Sequence, residues 1–418
     1  MLDINNNQEV EDALQQLGFT NLRPEQQAPL NAILSEVDAI AVLPTGGGKS
    51  LLYQLPAVMD GEGKLTLVVS PLRALQQDQA AALTAKGIRA AVLNSDLSPA
   101  QHTAVLQDAC AHGGLLYLAP EQLQNAAVAD ALTQANIVRI AVDEAHILAQ
   151  AQDDFRRAYA KIGCFADTLP HRPQLLALTA TATKTDCRRI RESLGLRDAE
   201  TFRTPLRRPN LRLSVKRIEA GKHGKSLETI RLQAVERALE SWNGKGSAIV
   251  YCPTVKMVKA LHRWLKARDY PVGKYHGKMK QRKRQIAQDN FMHGKAPIMV
   301  ATNAFGLGID KPDIRMVIHA GLPLSMDGYV QEIGRAGRDG KKARCVLIYA
   351  KSDFARNERL LKQSGKRKAV NRKLKRFYAL KKLVQSNKCL WRGIEKYFGQ
   401  KPQKKCKKCC NCQKKRNA

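Results

Sequence analysis

The stretch "AIAVLPTGGGKSLLYQL", residues 39–55, joins an unbroken apolar run to a glycine turn and a second apolar segment. Such a run is typical of a strand buried on both faces, as in a parallel sheet. A glycine turn that follows a strand and opens a helix is the context that a phosphate-binding loop requires. Its backbone N–H groups can surround phosphate oxygens. The stretch therefore predicts an α/β fold with a nucleotide site at a strand end.

The loop also supplies side chains that suit a nucleoside triphosphate. Lys49 would neutralise the β- and γ-phosphates, and the Ser50 hydroxyl would hold Mg²⁺. The rest of the candidate loop consists of Thr45, Gly46, Gly47 and Gly48. The loop departs from the pattern G-x-x-x-x-G-K-[ST] because Leu43 stands where the first glycine belongs. A glycine-rich loop without a ligand is therefore the alternative for this segment taken alone.

A second apolar run ends in the acidic segment "AVDEAH", residues 141–146. Asp143 and Glu144 then lie at the carboxyl end of a strand, where α/β sheets bind their ligands. Asp143 suits Mg²⁺, Glu144 suits orienting and deprotonating an attacking water, and His146 completes the candidate catalytic segment. Two acids after a strand are common by chance, but together with the upstream loop they predict a site that hydrolyses a nucleotide.

Similar apolar runs recur along the chain and predict further buried strands. They cover 65–70, 89–93, 114–120 and 174–181, and after a gap 247–252, 298–302, 316–323 and 344–350. We interpret the polar, basic stretch 203–226 between the two sets as an interdomain connection. The fold expected is α/β, with parallel-sheet domains at 1–205 and 206–350, followed by a basic helical segment at 351–418.

Charge is divided unequally between the two halves of the chain. Residues 1–205 hold 17 Lys and Arg against 23 Asp and Glu, whereas residues 206–418 hold 53 against 14. The last segment, 351–418, holds 24 against 3. An excess of one sign on this scale indicates a polyphosphate partner, and hence a nucleic acid.

Other classes of protein fit the sequence poorly. The N-terminus is polar and acidic, so we expect neither a signal peptide nor a transit peptide. No apolar run approaches the ~18 residues of a membrane span. We therefore expect an intracellular, cytoplasmic protein without a membrane partner, associated with the nucleoid if the source is bacterial, in which thiols stay reduced.

Four of the ten cysteines lie in the lysine-rich tail segment "CKKCCNC", residues 406–412. Together with Cys389, the three at 406, 409 and 412 give four thiolates with C-x₂-C-x₂-C spacing, which suits tetrahedral Zn²⁺. Cys410 is left over, and its adjacency to Cys409 allows an alternative register. A disulfide knot is the third possibility, which the reducing compartment disfavours. The remaining cysteines stand in apolar segments and are expected to be small buried side chains: Cys110, Cys164, Cys187, Cys252 and Cys345.

The order of five motifs resembles that of superfamily 2 helicases, and more closely the RecQ family, over residues 10–412. The motifs are "PTGGGKS" (44–50), "DEAH" (143–146), "LTATAT" (178–183), "VATNAFGLGID" (300–310) and "QEIGRAGRDG" (331–340). The resemblance implies two RecA-like domains and a small zinc subdomain, which in the family also carries the "YFG" stretch at 397–399. It further implies an ATP-dependent 3′–5′ DNA helicase that couples ATP hydrolysis to translocation on single-stranded DNA and to unwinding, with ATP, Mg²⁺ and Zn²⁺ as cofactors.

The resemblance also assigns roles to residues that composition alone does not mark. It implies that Phe19 stacks on adenine while Arg23 and Gln26 contact the nucleotide. Arg335 and Arg338, expected at i and i+3 on one helix face, would reach across a cleft to stabilise charge on ATP. The segments at 70–79 and 301–310 resemble strand-contacting segments, and there the candidates for phosphate contact are Ser70, Arg73, Thr302 and Asn303.

One segment departs from the family pattern. After the DEAH box the family usually carries a loop with Trp and His that couples DNA binding to ATP hydrolysis. Here "ILAQAQDDFRRAY", residues 147–159, has Ala151 and Asp153 at those positions and keeps Phe155 and Arg156 as candidate DNA contacts. An aromatic platform contributes about 1–3 kcal/mol per stacked base. We therefore expect the coupling between DNA and ATPase to be altered.

Several functions stay open at this point. Family members often continue into a winged helix and a further helical domain, and the six residues after Cys412 contain neither. The leading hypothesis is a monomeric helicase acting on single-stranded and forked duplex DNA. The alternatives are a DNA-stimulated ATPase or translocase that unwinds weakly, an RNA helicase, which the cysteine spacing disfavours, and a non-catalytic nucleic-acid-binding protein.

Overall fold

The computed structural model describes residues 7–71, 73–150, 153–220, 226–242, 244–306 and 309–414. The chain divides into two compact units, Met1–Thr204 and Pro205–Ala418. Each unit is built around one parallel sheet.

The sheet of the first unit has seven strands in the order β3-β4-β2-β5-β6-β1-β7. Every pairing between them is parallel. The strands are β1 Ala39–Val42, β2 Leu65–Val69, β3 Ala90–Leu93, β4 Gly114–Leu118, β5 Ile137–Val142, β6 Gln174–Thr179 and β7 Glu200–Arg203.

Helices cover both faces of this sheet. Successive strand residues point to opposite faces, and accordingly Ile40 and Val42 lie in one hydrophobic cluster while Ala39 and Ala41 lie in another. Helices α1–α4 contribute to the second cluster, and α5, α6, α8 and α9 to the first. The helices are α1 Gln8–Gln16, α2 Pro24–Leu34, α3 Leu51–Met59, α4 Arg73–Thr84, α5 Pro99–His112, α6 Ala126–Thr133, α7 His146–Gln150, α8 Asp153–Thr168 and α9 Lys184–Leu194.

The second unit has a six-stranded sheet in the order β10-β11-β9-β12-β13-β8, again parallel throughout. Its strands are β8 Leu211–Arg217, β9 Ser247–Tyr251, β10 Val272–Tyr275, β11 Ile298–Ala301, β12 Ile314–His319 and β13 Ala343–Tyr349. Its helices are α10 Leu227–Glu240, α11 Val255–Lys266, α12 Gln281–Met292, α13 Met326–Ile333, α14 Lys351–Lys362, α15 Arg367–Gln385, α16 Leu390–Tyr397 and α17 Cys410–Lys414.

The C-terminal helices share a core with the second sheet. Phe377 of α15 and Trp391 of α16 are buried in the same hydrophobic cluster as Leu213 of β8 and Tyr329 of α13. Two ion pairs also connect these helices to the rest of the unit. Glu395 Oε1 of α16 lies 2.8 Å from Arg207 Nε, and Arg376 Nη1 of α15 lies 3.0 Å from Asp327 Oδ1 of α13. The basic segment after residue 350 is thus packed onto the second sheet.

The prediction of two parallel-sheet α/β domains is confirmed, but the interpretation of 203–226 as a connection is wrong in part. Strand β7 ends within that stretch, at Arg203, and β8 occupies Leu211–Arg217. Strand β10 was also not expected. All three are outermost strands, and their residues are largely half-buried or exposed. A strand at a sheet edge needs no continuous apolar run, which explains why the pattern missed them.

Among the described residues, no helix is both long enough and apolar enough to cross a membrane.

Candidate nucleotide site and zinc centre

Four neighbouring strands of the first sheet end at the candidate nucleotide site. They are β2, β5, β6 and β1, adjacent in that order. Ser70, Asp143 and the loop that begins at Leu43 follow β2, β5 and β1, and Thr179 is the last residue of β6. Because parallel strands bring their carboxyl ends to one edge, segments distant in sequence meet there.

The loop between β1 and α3 depends on its glycines. Gly46 and Gly48 have φ of 81° and 71°, in the left-handed region that favours glycine. A Cβ on Gly47 would lie 2.9 Å from the Pro44 carbonyl oxygen, and one on Gly48 would lie 2.3 Å from Gln26 Nε2. The turn therefore cannot take side chains at these positions without moving.

Two residues ahead of the loop bind its carbonyl groups. Arg23 Nη1 donates to the Gly46 carbonyl, and Gln26 Nε2 donates to the Gly48 carbonyl at 2.9 Å. Gln26 is buried, and its Oε1 accepts from the Arg23 N–H at 2.8 Å. The structure thus places both side chains on the loop itself, where they hold its shape. Their contact with a nucleotide stays a prediction.

Phe19 is a large apolar side chain left in solvent. Its exposed fraction is 46%, and Lys86 Nζ lies 5.6 Å from the ring centroid. An exposed ring suits stacking on a base, as the resemblance implies.

The acidic pair after β5 has unequal surroundings. Asp143 is buried, and burial, followed by the neighbouring Glu144 carboxylate, raises its pKa to about 6, although Lys49 acts in the opposite direction. Asp143 Oδ1 also accepts from the Glu144 N–H at 2.9 Å. Glu144 itself has φ of 50°, which is uncommon for a residue with a side chain. The charge of the loop lysine thus acts on Asp143, which has the Glu144 carboxylate as its neighbour.

His146 connects the acidic pair to the next strand. Its Nδ1 lies 3.0 Å from Glu144 Oε2 and 3.2 Å from Thr179 Oγ1 at the end of β6. Thr179 Oγ1 in turn accepts from the Thr181 N–H at 3.4 Å. The segments "DEAH" and "LTATAT" are therefore linked through one imidazole.

Gln79 of α4 also belongs to this site, although its sequence position did not predict a contact with the loop. Its Nε2 donates to Ser50 Oγ at 2.8 Å, so it contacts the predicted Mg²⁺ ligand directly. Gln79 closes the segment 70–79, which resembles a strand-contacting segment, but only the three-dimensional contact distinguishes it from its neighbour Gln77, which is exposed.

The predicted DNA contacts differ in accessibility. Ser70 is buried, and its hydroxyl has no hydrogen-bond partner among the described residues. Arg73 is exposed, and its Nη1 lies 3.5 Å from Asp96 Oδ1. Thr302 is half-buried, whereas Asn303 is exposed. The side chains of Phe155 and Arg156, and residue Ala151, lie outside the described part of the structure.

The two candidate arginines of the second unit do not lie on a helix, contrary to expectation. Helix α13 ends at Ile333, and Arg335 and Arg338 follow in consecutive turns. The intervening Gly337 has φ of 54°, a conformation that interrupts helical geometry.

Both arginines are bound to the segment that follows β11. Arg335 is buried and its Nη1 donates to the Gly306 carbonyl, while Arg338 Nη1 lies 2.6 Å from Asp310 Oδ1. Burial of the Tyr251 phenol beside Arg335 raises the pKa of that hydroxyl to about 12. The guanidinium groups are thus held in fixed positions within their own unit.

The structure brings the four predicted zinc ligands together. The Sγ atoms of Cys389, Cys406, Cys409 and Cys412 all lie within 4.8 Å of one another, and those of Cys406 and Cys412 are 3.9 Å apart. A tetrahedral ZnS₄ site with bonds of about 2.3 Å requires sulfur atoms roughly 3.8 Å apart. The donor set and its dimensions therefore fit Zn²⁺.

Cys410 lies outside this cluster. Its Sγ accepts from the Val215 N–H of β8 at 3.4 Å. This placement favours the register with Cys409 as ligand. Among the other cysteines, Cys187, Cys252 and Cys345 are buried as expected, but Cys164 on α8 is exposed, which corrects the expectation for that residue.

Three families match successive parts of the chain. They are described as DEAD/DEAH box helicase over residues 23–190, helicase conserved C-terminal domain over 230–340, and RecQ zinc-binding over 351–413. The probable ATP-dependent DNA helicase RecS of Bacillus subtilis is 41% identical over 351 residues, 83% of this chain and 68% of that protein.

The chain belongs to the RecQ family of ATP-dependent DNA helicases.

Membership of the RecQ family, which the order of the sequence motifs predicts, is thereby confirmed. The ATP-dependent DNA helicase RecQ of Bacillus subtilis is 34% identical over 94% of this chain, which spans 65% of that relative. Among solved structures, the Mycobacterium smegmatis helicase Lhr bound to ssDNA and AMP-PNP has a TM-score of 0.69 at 22% identity, covering 85% of this chain and 49% of that one. A likeness at that identity shows the shared fold. The donor sets described above fit the ATP, Mg²⁺ and Zn²⁺ expected of a RecQ enzyme.

Proposed function

We propose that this RecQ protein couples ATP hydrolysis at the β1–α3 loop to 3′–5′ movement along single-stranded DNA and to unwinding of forked duplexes. The observation that supports this most is the meeting of four motif-bearing strand ends, β2, β5, β6 and β1, at one edge of the first sheet. That edge holds the loop, the acidic pair and the start of α4 together.

Each residue of this edge has a definite task in the proposal. The loop N–H groups and Lys49 bind the β- and γ-phosphates. Ser50 and Asp143 hold Mg²⁺, which neutralises phosphate charge when bound. Glu144 accepts the proton of the attacking water, and His146 keeps its carboxylate in place. Phosphoryl transfer spreads negative charge over the γ-phosphate oxygens, so an arginine is needed there.

We assign that arginine to the second unit, as Arg335 or Arg338. Both side chains are preorganised by bonds to the segment after β11, which lowers the entropy lost when they bind an anion. The same segment carries Thr302 and Asn303, the candidate DNA contacts. A shift of this segment on DNA would therefore move the arginines as well.

Helix α15 offers a surface suited to DNA phosphates. It contains no acidic residue, and its inward basic side chains are used internally, as in the contacts of Arg376 with Asp327 and of Lys381 with Glu358. Lys368, Lys375 and Lys382 are exposed at seven-residue intervals, about 10 Å apart along the axis. Within the described residues these three lysines have no ion-pair partner, which leaves them available for phosphate.

The 3′–5′ polarity, a monomeric active form and a location at the nucleoid in a bacterial cell are further parts of the proposal. Polarity is supported by family membership, and location by the DNA substrate. Unwinding of forks with a single 3′ or 5′ tail tests the polarity. Light scattering after size exclusion, at the concentrations used for unwinding, tests the monomer.

A second candidate is a DNA-stimulated ATPase or translocase with weak unwinding. The replacement of the family's Trp and His by Ala151 and Asp153 favours it, because a stacking platform beside the DEAH box is lost.

Steady-state ATPase with and without single-stranded DNA, measured beside unwinding of a forked duplex, separates the two. Wild-type protein should show both activities and Lys49→Ala neither, because the phosphates lose their charge partner. ATPase stimulation without unwinding supports the second candidate. Normal turnover by Lys49→Ala would refute the loop assignment.

A further inference from the structure

Gln79 joins α4 to the phosphate loop through two hydrogen bonds of one side chain. Its Nε2 donates to Ser50 Oγ at 2.8 Å, and its Oε1 accepts from the Tyr53 hydroxyl at 2.7 Å. Ser50 ends the loop, and Tyr53 lies in the first turn of α3. The amide therefore bridges two elements that follow different strands of the sheet.

The orientation of this amide is fixed by Tyr53. The Tyr53 side chain is almost wholly buried, and its hydroxyl lies 2.7 Å from Gln79 Oε1, an oxygen that can only accept a hydrogen bond. The hydroxyl is therefore the donor of this bond. With Oε1 of Gln79 engaged by that donor, the amide nitrogen faces Ser50.

A hydrogen bond from Gln79 restricts what Ser50 can do. A serine hydroxyl has one proton and two lone pairs. The Gln79 N–H occupies one lone pair, and the Tyr53 phenol also interacts with the Ser50 hydroxyl, so a lone pair of Ser50 is what remains for a cation. The contact thus restricts the orientation of the hydroxyl that would hold Mg²⁺.

We propose that Gln79 is a positioning residue that orients Ser50 for Mg²⁺ and transmits the position of α4 to the metal site. This inference rests on the proposed role of Ser50 in the nucleotide site. Helix α4 begins at Arg73, a candidate strand contact, less than two turns from Gln79. A displacement of α4 on DNA therefore reaches the Mg²⁺ ligand through a single side chain.

The neighbouring Gln76 illustrates a purely structural role. It is buried, and its Nε2 donates to the Ser70 carbonyl at 2.6 Å, which holds the start of α4. A residue of that kind affects stability without a specific effect on the metal. The dependence of nucleotide binding on Mg²⁺ distinguishes the two roles.

The test uses Gln79→Met, which keeps an unbranched chain but removes the donor and acceptor. Its matched control is Gln77→Met, on the exposed side of the same helix. A fluorescent, non-hydrolysable ATP analogue is titrated in EDTA and at increasing Mg²⁺, with and without single-stranded DNA. We expect Gln79→Met to bind the analogue normally in EDTA, but to need about fivefold more Mg²⁺ for half-maximal enhancement, the effect of one hydrogen bond.

The response to DNA should change as well. In the wild type and in Gln77→Met, single-stranded DNA should shift the Mg²⁺ requirement, whereas in Gln79→Met this shift should be reduced. Tyr53→Phe retains the donor to Ser50 but loses the anchor, and a smaller change in the same direction is expected.

An unchanged Mg²⁺ requirement in both Gln79→Met and Tyr53→Phe overturns the inference, including when either variant melts at a lower temperature. In that case Mg²⁺-dependent binding by the wild type still supports the proposed function. Absence of Mg²⁺-dependent binding in the wild type refutes the proposed function of the loop and this inference with it.

Discussion

The nucleotide site and the zinc centre are assembled in opposite ways. The first collects residues from Arg23 to Thr179 at the ends of adjacent strands, and hydrogen bonds among protein groups hold it. The second uses four sulfur atoms from 24 residues of chain, from Cys389 to Cys412. The nucleotide site is therefore maintained by the fold, whereas the zinc centre needs its ion to offset four crowded thiolates.

Removal of zinc should have the largest effect. It should disrupt the zinc centre and leave the nucleotide site intact. Structural zinc binds small peptides with about 10–16 kcal/mol, so Cys406→Ser or chelation should disorder the tail around residues 406–412 and weaken DNA binding. Nucleotide affinity should stay within about twofold, since the loop belongs to the other compact unit. Metal analysis, hydrogen exchange, titration with single-stranded DNA and titration with an ATP analogue measure zinc content, order in the tail, DNA affinity and nucleotide affinity, respectively. Wild-type protein without metal, or loss of nucleotide binding on chelation, would contradict the comparison.

Glu144→Gln should stop turnover without disturbing the nucleotide site. A general base contributes about 10²–10⁴-fold, and kcat should fall by that factor because the amide cannot take the proton of water. ATP-analogue affinity and zinc content should be unchanged. Single-turnover hydrolysis beside equilibrium binding makes the measurement, and near-normal kcat would remove Glu144 from the mechanism.

Ala151→Trp should produce a smaller gain in coupling. One added aromatic supplies about 1–3 kcal/mol of base stacking, so the DNA-stimulated fraction of ATPase activity should rise while the DNA-free rate stays constant. Ala151→Leu controls for added bulk. An equal response to Leu and Trp, or none to either, would indicate that coupling runs through another element.

Cys410→Ser should have the smallest effect and sharpens the zinc assignment. Its Sγ faces the Val215 N–H rather than the four-sulfur cluster, and a serine oxygen can accept the same bond. We expect one zinc per chain in this variant and loss of zinc in Cys409→Ser. The reverse pattern would show that the other register is used.

Local motifs could be predicted from the sequence, while features set by tertiary position could not. The loop at 43–50, the acidic pair and the cysteine spacing follow from chemistry that needs fixed residue types at fixed intervals. The outermost strands β7, β8 and β10 lack the apolar runs of central strands. Arg335 and Arg338 are not on the helix because α13 ends at Ile333 and turns follow. Gln79 acquires its contact with Ser50 only when α4 packs beside α3.

The shared core of the C-terminal helices and the second sheet also limits how such proteins can be rearranged during evolution. Phe377, Trp391 and Leu213 lie in one hydrophobic cluster, and Tyr397 donates to Asp327 Oδ2 at 2.9 Å. A gene fusion or deletion with its junction near residue 350 would cut through that cluster. It would also leave the buried Asp327 carboxylate without its ion-pair partner, Arg376. In viable exchanges of domains between such proteins, the second sheet and the cysteine segment should therefore be transferred together.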